Sequence, residues 1–163
     1  MYKFAIYASS ILLCSCHIYD GKAHLKTIKT LPDFNVISIT NNQSVNSHIL
    51  SAGKPIIFFY FSPECEHCQK ETRDLIDHID ELRNVKLAWI TNDPIDSLKV
   101  FYKHFRLDTI PDSFVGSDTK FSFYRIFLPP ATPYIAIYDR HQALLKVYYE
   151  EVDISNIINV IRG

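Results

Sequence analysis

Cys65-Glu66-His67-Cys68 places two thiols two residues apart, directly after the apolar run Pro55-Ile56-Ile57-Phe58-Phe59-Tyr60-Phe61. Cysteines at this spacing can close a small disulfide with little backbone movement. Where a strand runs into a helix they also meet the positive end of the helix dipole, which favours thiolate. That arrangement suits thiol–disulfide exchange, in which one sulfur attacks and the other resolves the mixed disulfide. Cys65, the first in the helix direction, is then the exposed nucleophile and Cys68 the more buried resolving thiol. His67 lies between them. Protonated, it would stabilise the Cys65 thiolate and make the pair more oxidising, and the negative charge of Glu66 opposes this. Zinc is the competing chemistry for a cysteine pair. It needs four ligands, and the chain has no second C-x₂₋₄-C and no H-x₃₋₅-H.

The other two of the four cysteines, Cys14 and Cys16, lie in a segment of different character. Lys3 supplies an early positive charge, and Phe4 to Leu13 is a short run of apolar and small residues. The run is shorter than the ~20 apolar residues of a membrane span, and it fits the apolar region of a secretory signal. Leu13-Cys14-Ser15-Cys16 resembles a bacterial lipobox, with Leu at −3, a small residue at −1 and Cys16 as the lipid acceptor. A lipobox ending at Cys14 would put Leu13 where a small residue is wanted. The resemblance implies a signal over 1–15, a lipid-anchored tether over 16–30 and a domain over 31–163. Cys65 and Cys68 would then be the free thiols that remain. An export signal implies an oxidising compartment, and one close pair is too few to be a disulfide framework for such a domain.

Composition narrows the alternatives. The net charge is −1 with no long run of one sign, which speaks against nucleic-acid binding and against adhesion to an anionic surface. Hydrophobic residues make up 47% of the chain, which excludes a disordered protein. With only four glycines there is no glycine-rich phosphate cradle. Ten Tyr and eleven Phe predict an aromatic core. The length is that of one domain, expected to be a monomer.

Leu31-Pro32-Asp33-Phe34 opens the domain. Residues 35–39 alternate as an edge strand would, and Asn41-Asn42-Gln43-Ser44 is a turn signal. The 55–61 run reads as a strand buried on both faces. Ser62-Pro63 predicts a helix start, with Ser62 as cap and Pro63 in the first turn. Thr72, Leu75, Ile76, Ile79 and Leu82 continue that helix to Asn84, with the charged residues opposite. Residues 85–91 form a second buried strand, and 94–105 a helix with Leu98, Phe101, Tyr102 and Phe105 on one face. A short strand over 113–116 precedes a helical turn through Phe121, Tyr124, Arg125 and Phe127. After the rigid loop 129–133, strands 134–138 and 143–149 make a hairpin about Asp139-Arg140-His141-Gln142. Asp153 caps a last helix through Ile161. This order predicts an α/β fold, a mixed central sheet flanked by helices in an α/β/α sandwich.

These residues together resemble the thioredoxin superfamily, and within it the exported, membrane-anchored TlpA/ResA type, over roughly residues 31–163. The matching parts are Pro32-Asp33-Phe34, the buried strand entering C-x-x-C, the βαβ unit, and Thr132-Pro133 where that superfamily places a cis-proline facing its disulfide. The resemblance implies that Thr132 offers backbone groups to a bound peptide by strand-like pairing. It also implies that Glu71, six residues after Cys65, relays the proton of Cys68 as a general base. Three departures stand out. Glu64 replaces a common Trp before the first cysteine, Phe59 replaces a buried Asp, and the hairpin turn lacks glycine.

The expectation is a thiol–disulfide oxidoreductase acting on exported proteins, in the reducing direction by the resemblance. It would face the periplasm as a lipoprotein of the inner or outer bacterial membrane. Its chemistry resides in the two sulfurs, so no cofactor and no metal is expected, and a redox partner must reset the pair. His67 argues for the opposite direction, a periplasmic thiol oxidase. A peroxiredoxin-like peroxidase would want Thr and Pro where Ser62 and Phe58 stand. A thioredoxin fold kept as a metal- or partner-binding module is the non-enzymatic alternative.

Overall fold

The apolar run around residue 58 becomes strand β3 (Ile56–Tyr60), all five residues buried. Its alternation serves two cores at once. Ile57 and Phe59 face one, and Ile56, Phe58 and Tyr60 face the other. Strands buried on both sides read as continuous apolar runs for this reason. The computed structural model describes residues 28–163. The expected signal segment, Cys14, the expected lipid acceptor Cys16 and most of the expected tether lie outside the described residues. Ile28, Lys29 and Thr30, placed in the tether by sequence, pack against the hairpin: Ile28 is buried, and Thr30 bridges to Ala143.

The remaining elements are β1 (Asn35–Ser38), β2 (Ser44–Asn46), the short helix α1 (Ser47–Leu50), α2 (Glu66–Asp77), β4 (Lys86–Thr91) and α3 (Ile95–His104). They continue with β5 (Ser113–Ser117), α4 (Ser122–Phe127), β6 (Tyr134–Tyr138), β7 (Leu144–Tyr148) and α5 (Ile154–Arg162). The strands form one sheet in the order β2-β1-β5-β4-β3-β6-β7. β3, β4 and β5 run parallel, and β6, β7, β1 and β2 join antiparallel. Helices α2, α3 and α5 cover the face carrying Phe59 and Trp89. Helix α4 and the 28–34 segment cover the other face, where Phe34 meets Phe58, Phe123 and Phe127 edge-on at 5.4, 5.4 and 5.7 Å. Each such pair adds about 0.5–1.5 kcal/mol beyond area burial.

Several sequence expectations change. Residues 35–38 are interior to the sheet, because β2, which begins at Ser44 of the expected turn, takes the edge. Ser62 does not cap α2. Its carbonyl accepts the Cys65 N–H at 3.1 Å, so the chain turns before the helix and Cys65 becomes the cap. The helix stops at Asp77, where the ring of His78 bonds the Asp74 carbonyl, and Ile79–Leu82 continue as a 3₁₀ turn. In α4 the inward residues are Phe123 and Phe127, while Phe121 and Tyr124 are exposed. The hairpin turn works without glycine. Asp139 accepts from His141 N–H and Ala143 N–H at 2.8 Å each, and Gln142 takes the left-handed conformation at φ 66°. Among the described residues, no helix is long and apolar enough to cross a membrane.

Candidate active site

β3 ends at Tyr60, which pairs with Tyr134, the first residue of antiparallel β6. The loop leaving β3 therefore runs beside the loop entering β6. The first carries Cys65, and the second carries Thr132-Pro133, joined by a cis peptide bond as the sequence led one to expect. Cys65 Sγ lies 3.7 Å from the Thr132 carbonyl, to which its S–H donates. As the cap of α2, the same sulfur accepts the Cys68 N–H at 3.4 Å. A sulfur at the start of a helix faces backbone donors that no other group satisfies. Helix α2 is held to the sheet partly by Trp89, whose ring N–H donates to Thr72 Oγ1 at 3.4 Å.

Cys65 is half-buried and Cys68 fully buried, and both are free thiols. Burial, with a hydrogen bond to Cys65 as the second cause, pushes the Cys68 thiol up to about 12. One turn further along the same face, Glu71 is also fully buried. Residues three apart on a helix are neighbours, with Cβ atoms ~5–6 Å apart. Glu71 Oε2 accepts the Val152 N–H at 3.0 Å, while Oε1 has no partner. Burial raises its carboxyl to about 7, against the opposing pull of the Val152 N–H. Phe59, stacked on Phe61 at 5.7 Å, is apolar, so the buried carboxyl on the Cys68 face comes from α2.

The expected tuning residues take separate places. Glu66 is the first residue of α2 and is exposed. The His67 side chain is 72% exposed, and its ring bonds Glu151 at 2.7 Å. Lys70 bridges the same Glu151 and also Asp74. These pairs stand in water and each contributes little to stability. Their geometric effect is larger. Together with the Val152–Glu71 bond they tie the 149–152 loop to α2. Sequence reasoning missed this loop, because it has neither periodicity nor a motif and its partners lie some eighty positions away in the chain.

A groove of about 240 Å³ opens beside Cys65, walled by His67, Thr132, Pro133, Tyr149, Glu150 and Glu151. A larger cavity of about 370 Å³ lies at the other end of the parallel strands, near Lys86 and Ser113, and holds no thiol.

No protein-family model matches the chain, and no curated protein matches it. Solved structures do match in shape. The peroxidoxin BcpB from Mycobacterium tuberculosis superposes with TM-score 0.70 at 18% identity, over 82% of this chain and 94% of that one. A secreted Mycobacterium tuberculosis disulfide oxidoreductase homologous to E. coli DsbE gives TM-score 0.67 at 13% identity, over 84% and 97%. The thioredoxin domain of a thiol-disulfide oxidoreductase from Bacteroides vulgatus gives 0.67 at 14%, over 81% and 94%. The mixed seven-stranded sheet and these likenesses define a thioredoxin-like α/β fold.

Proposed function

We propose that the protein is a thiol–disulfide oxidoreductase working through Cys65 and Cys68 in the reducing direction. The direction follows the family resemblance; the observation that carries the exchange chemistry is the stacking of three groups in order of depth: a half-exposed sulfur at a helix start, a buried sulfur one turn in, and a buried carboxyl with a free oxygen beyond it. In the first step the Cys65 thiolate attacks a substrate disulfide. A Cys65–substrate S–S bond forms, the substrate S–S bond breaks, and one substrate thiol leaves. In the second step Cys68 gives its proton to Glu71 and its sulfur attacks Cys65. The mixed disulfide breaks, the Cys65–Cys68 disulfide forms, and the second substrate thiol leaves. The substrate gains two electrons, and a dithiol partner returns them to the pair.

Cys65→Ser is expected to remove this exchange. Cys68→Ser is expected to halt it at the mixed disulfide, so that substrates stay bound through a reducible link seen on non-reducing gels. A Cys68→Ser protein that traps nothing, beside a Cys65→Ser protein that still reduces disulfides, would overturn the reading. The peroxidase alternative has the fold of the Mycobacterium tuberculosis peroxidoxin behind it, with Ser62 and Phe58 against it. Hydrogen peroxide consumption dependent on Cys65 and untouched by Cys68→Ser would favour that alternative.

The lipobox-like ending at Cys16 supports a lipoprotein of the bacterial cell envelope, facing the periplasm and acting on exported proteins. Cys16→Ser is expected to move the protein from the membrane fraction to the soluble one. Tight attachment of that variant would overturn the anchor.

A further inference from the structure

The groove beside Cys65 has walls of unequal charge state. Glu151 is neutralised by Lys70 and faces His67. Glu150 is exposed and, among the described residues, makes no ion pair and no side-chain hydrogen bond. Beside it, Tyr149 is 41% exposed, and its ring stands edge-on against the buried Tyr134 at 5.6 Å. A held aromatic ring with an open surface next to an unpaired carboxylate is a receptor for a long cationic side chain. The stem lies on the ring, and the charge reaches the carboxylate.

The floor of the groove is Thr132-Pro133, and the Thr132 carbonyl is the group that touches Cys65. At about 240 Å³ the groove is smaller than the ~300–1,000 Å³ of small-molecule cavities. It has room for one side chain of an extended polypeptide whose cysteine stands before Cys65. Glu64 and Glu66, both exposed on either side of Cys65, add the same sign of charge to the approach.

We infer that Glu150 and Tyr149 select substrates: polypeptide disulfides with an Arg or Lys beside the reacting cysteine. The inference rests on the exchange chemistry proposed above and names the substrate class of that site. Charge complementarity of this kind acts mainly on the rate of capture and weakens with salt.

The test uses two short peptides, each with one cysteine held as a mixed disulfide with glutathione. They are identical except that Arg or Glu flanks the cysteine. The full-length protein, recycled by dithiothreitol, is expected to reduce the Arg peptide roughly tenfold faster than the Glu peptide at low ionic strength, and high salt should shrink the gap. Glu150→Gln is expected to cut the ratio to about twofold, and Glu150→Lys to invert it. A ratio near one in the unaltered protein, or a ratio that Glu150→Gln leaves in place, overturns the selectivity while leaving exchange intact. Reduction of neither peptide above the rate with dithiothreitol alone, or such protein-dependent reduction surviving Cys65→Ser, overturns the exchange reading and the selectivity with it.

Discussion

Treated with iodoacetamide at neutral pH in its reduced form, the folded protein is expected to carry the label on Cys65 and not on Cys68. Only thiolate reacts, and a thiol pushed up to about 12 is ionised to roughly one part in 10⁵ at pH 7. Complete burial adds a steric barrier. Peptide mass spectrometry after timed labelling reads the difference. Raising the pH should speed labelling of Cys68 about tenfold per unit, and unfolding the chain should release it at once. Equal labelling of both sulfurs in the folded protein would contradict the burial on which the proposed division of labour depends. The same number bears on mechanism. A sulfur that rarely ionises by itself needs a base at the moment of attack. One cause of its raised pKa is the hydrogen bond with Cys65.

The second large effect concerns that base. Glu71→Gln is expected to make the protein more stable in alkali and slower in resolution. The Glu71 carboxyl rises from its ordinary 4.5 to about 7 because burial penalises its charged form. Its neutral state therefore favours the fold, fully so below the unfolded pKa. That advantage is lost as pH rises through the folded value near 7. The difference corresponds to about 3 kcal/mol. Urea unfolding at about pH 4 and again well above pH 7 measures it. The Gln variant should match the unaltered protein in acid and exceed it by up to about 3 kcal/mol in alkali. Identical pH slopes for the two proteins would mean that the carboxyl does not resist ionisation. Gln cannot accept a proton, so mixed disulfides should accumulate in the variant during turnover. Unchanged resolution would leave Glu71 as a packing group that takes no proton from Cys68.

The two properties oppose each other. A buried carboxyl with an unpartnered oxygen is a liability for folding, and its removal is predicted to help. In the proposed mechanism its neighbour Cys68 supplies the reason to keep it. Through the same mechanism Glu71 ties proton transfer to substrate binding. The Val152 N–H that it accepts belongs to the loop carrying Tyr149 and Glu150, which wall the groove.

Local signals in the chain determined the close cysteine pair, the strand that presents it, the Thr132-Pro133 loop and the fold class. A C-x-x-C spacing, an unbroken apolar run and an x-Pro before a hairpin are each contained within a few residues, so no distant contact is needed to read them. Asp153 as cap of α5 was legible in the same way. Glu71 was legible only through a family resemblance. Periodicity counts apolar positions, so it assigned Thr72, Leu75 and Ile76 to the inner face and passed over an acidic residue that shares the buried row with Cys68, Thr72 and Leu75. The cap of α2 was misread because Ser62 is a better cap by type, whereas a turn closed by its backbone carbonyl handed the position to Cys65.

Only the tertiary structure decided that β1 is interior, that His67 turns to Glu151, and that the 149–152 loop walls the groove at Cys65. Each depends on elements far apart in sequence meeting across the sheet. Pairing partners, ion pairs and groove walls are properties of that meeting, and a pattern of types along one stretch of chain does not contain them.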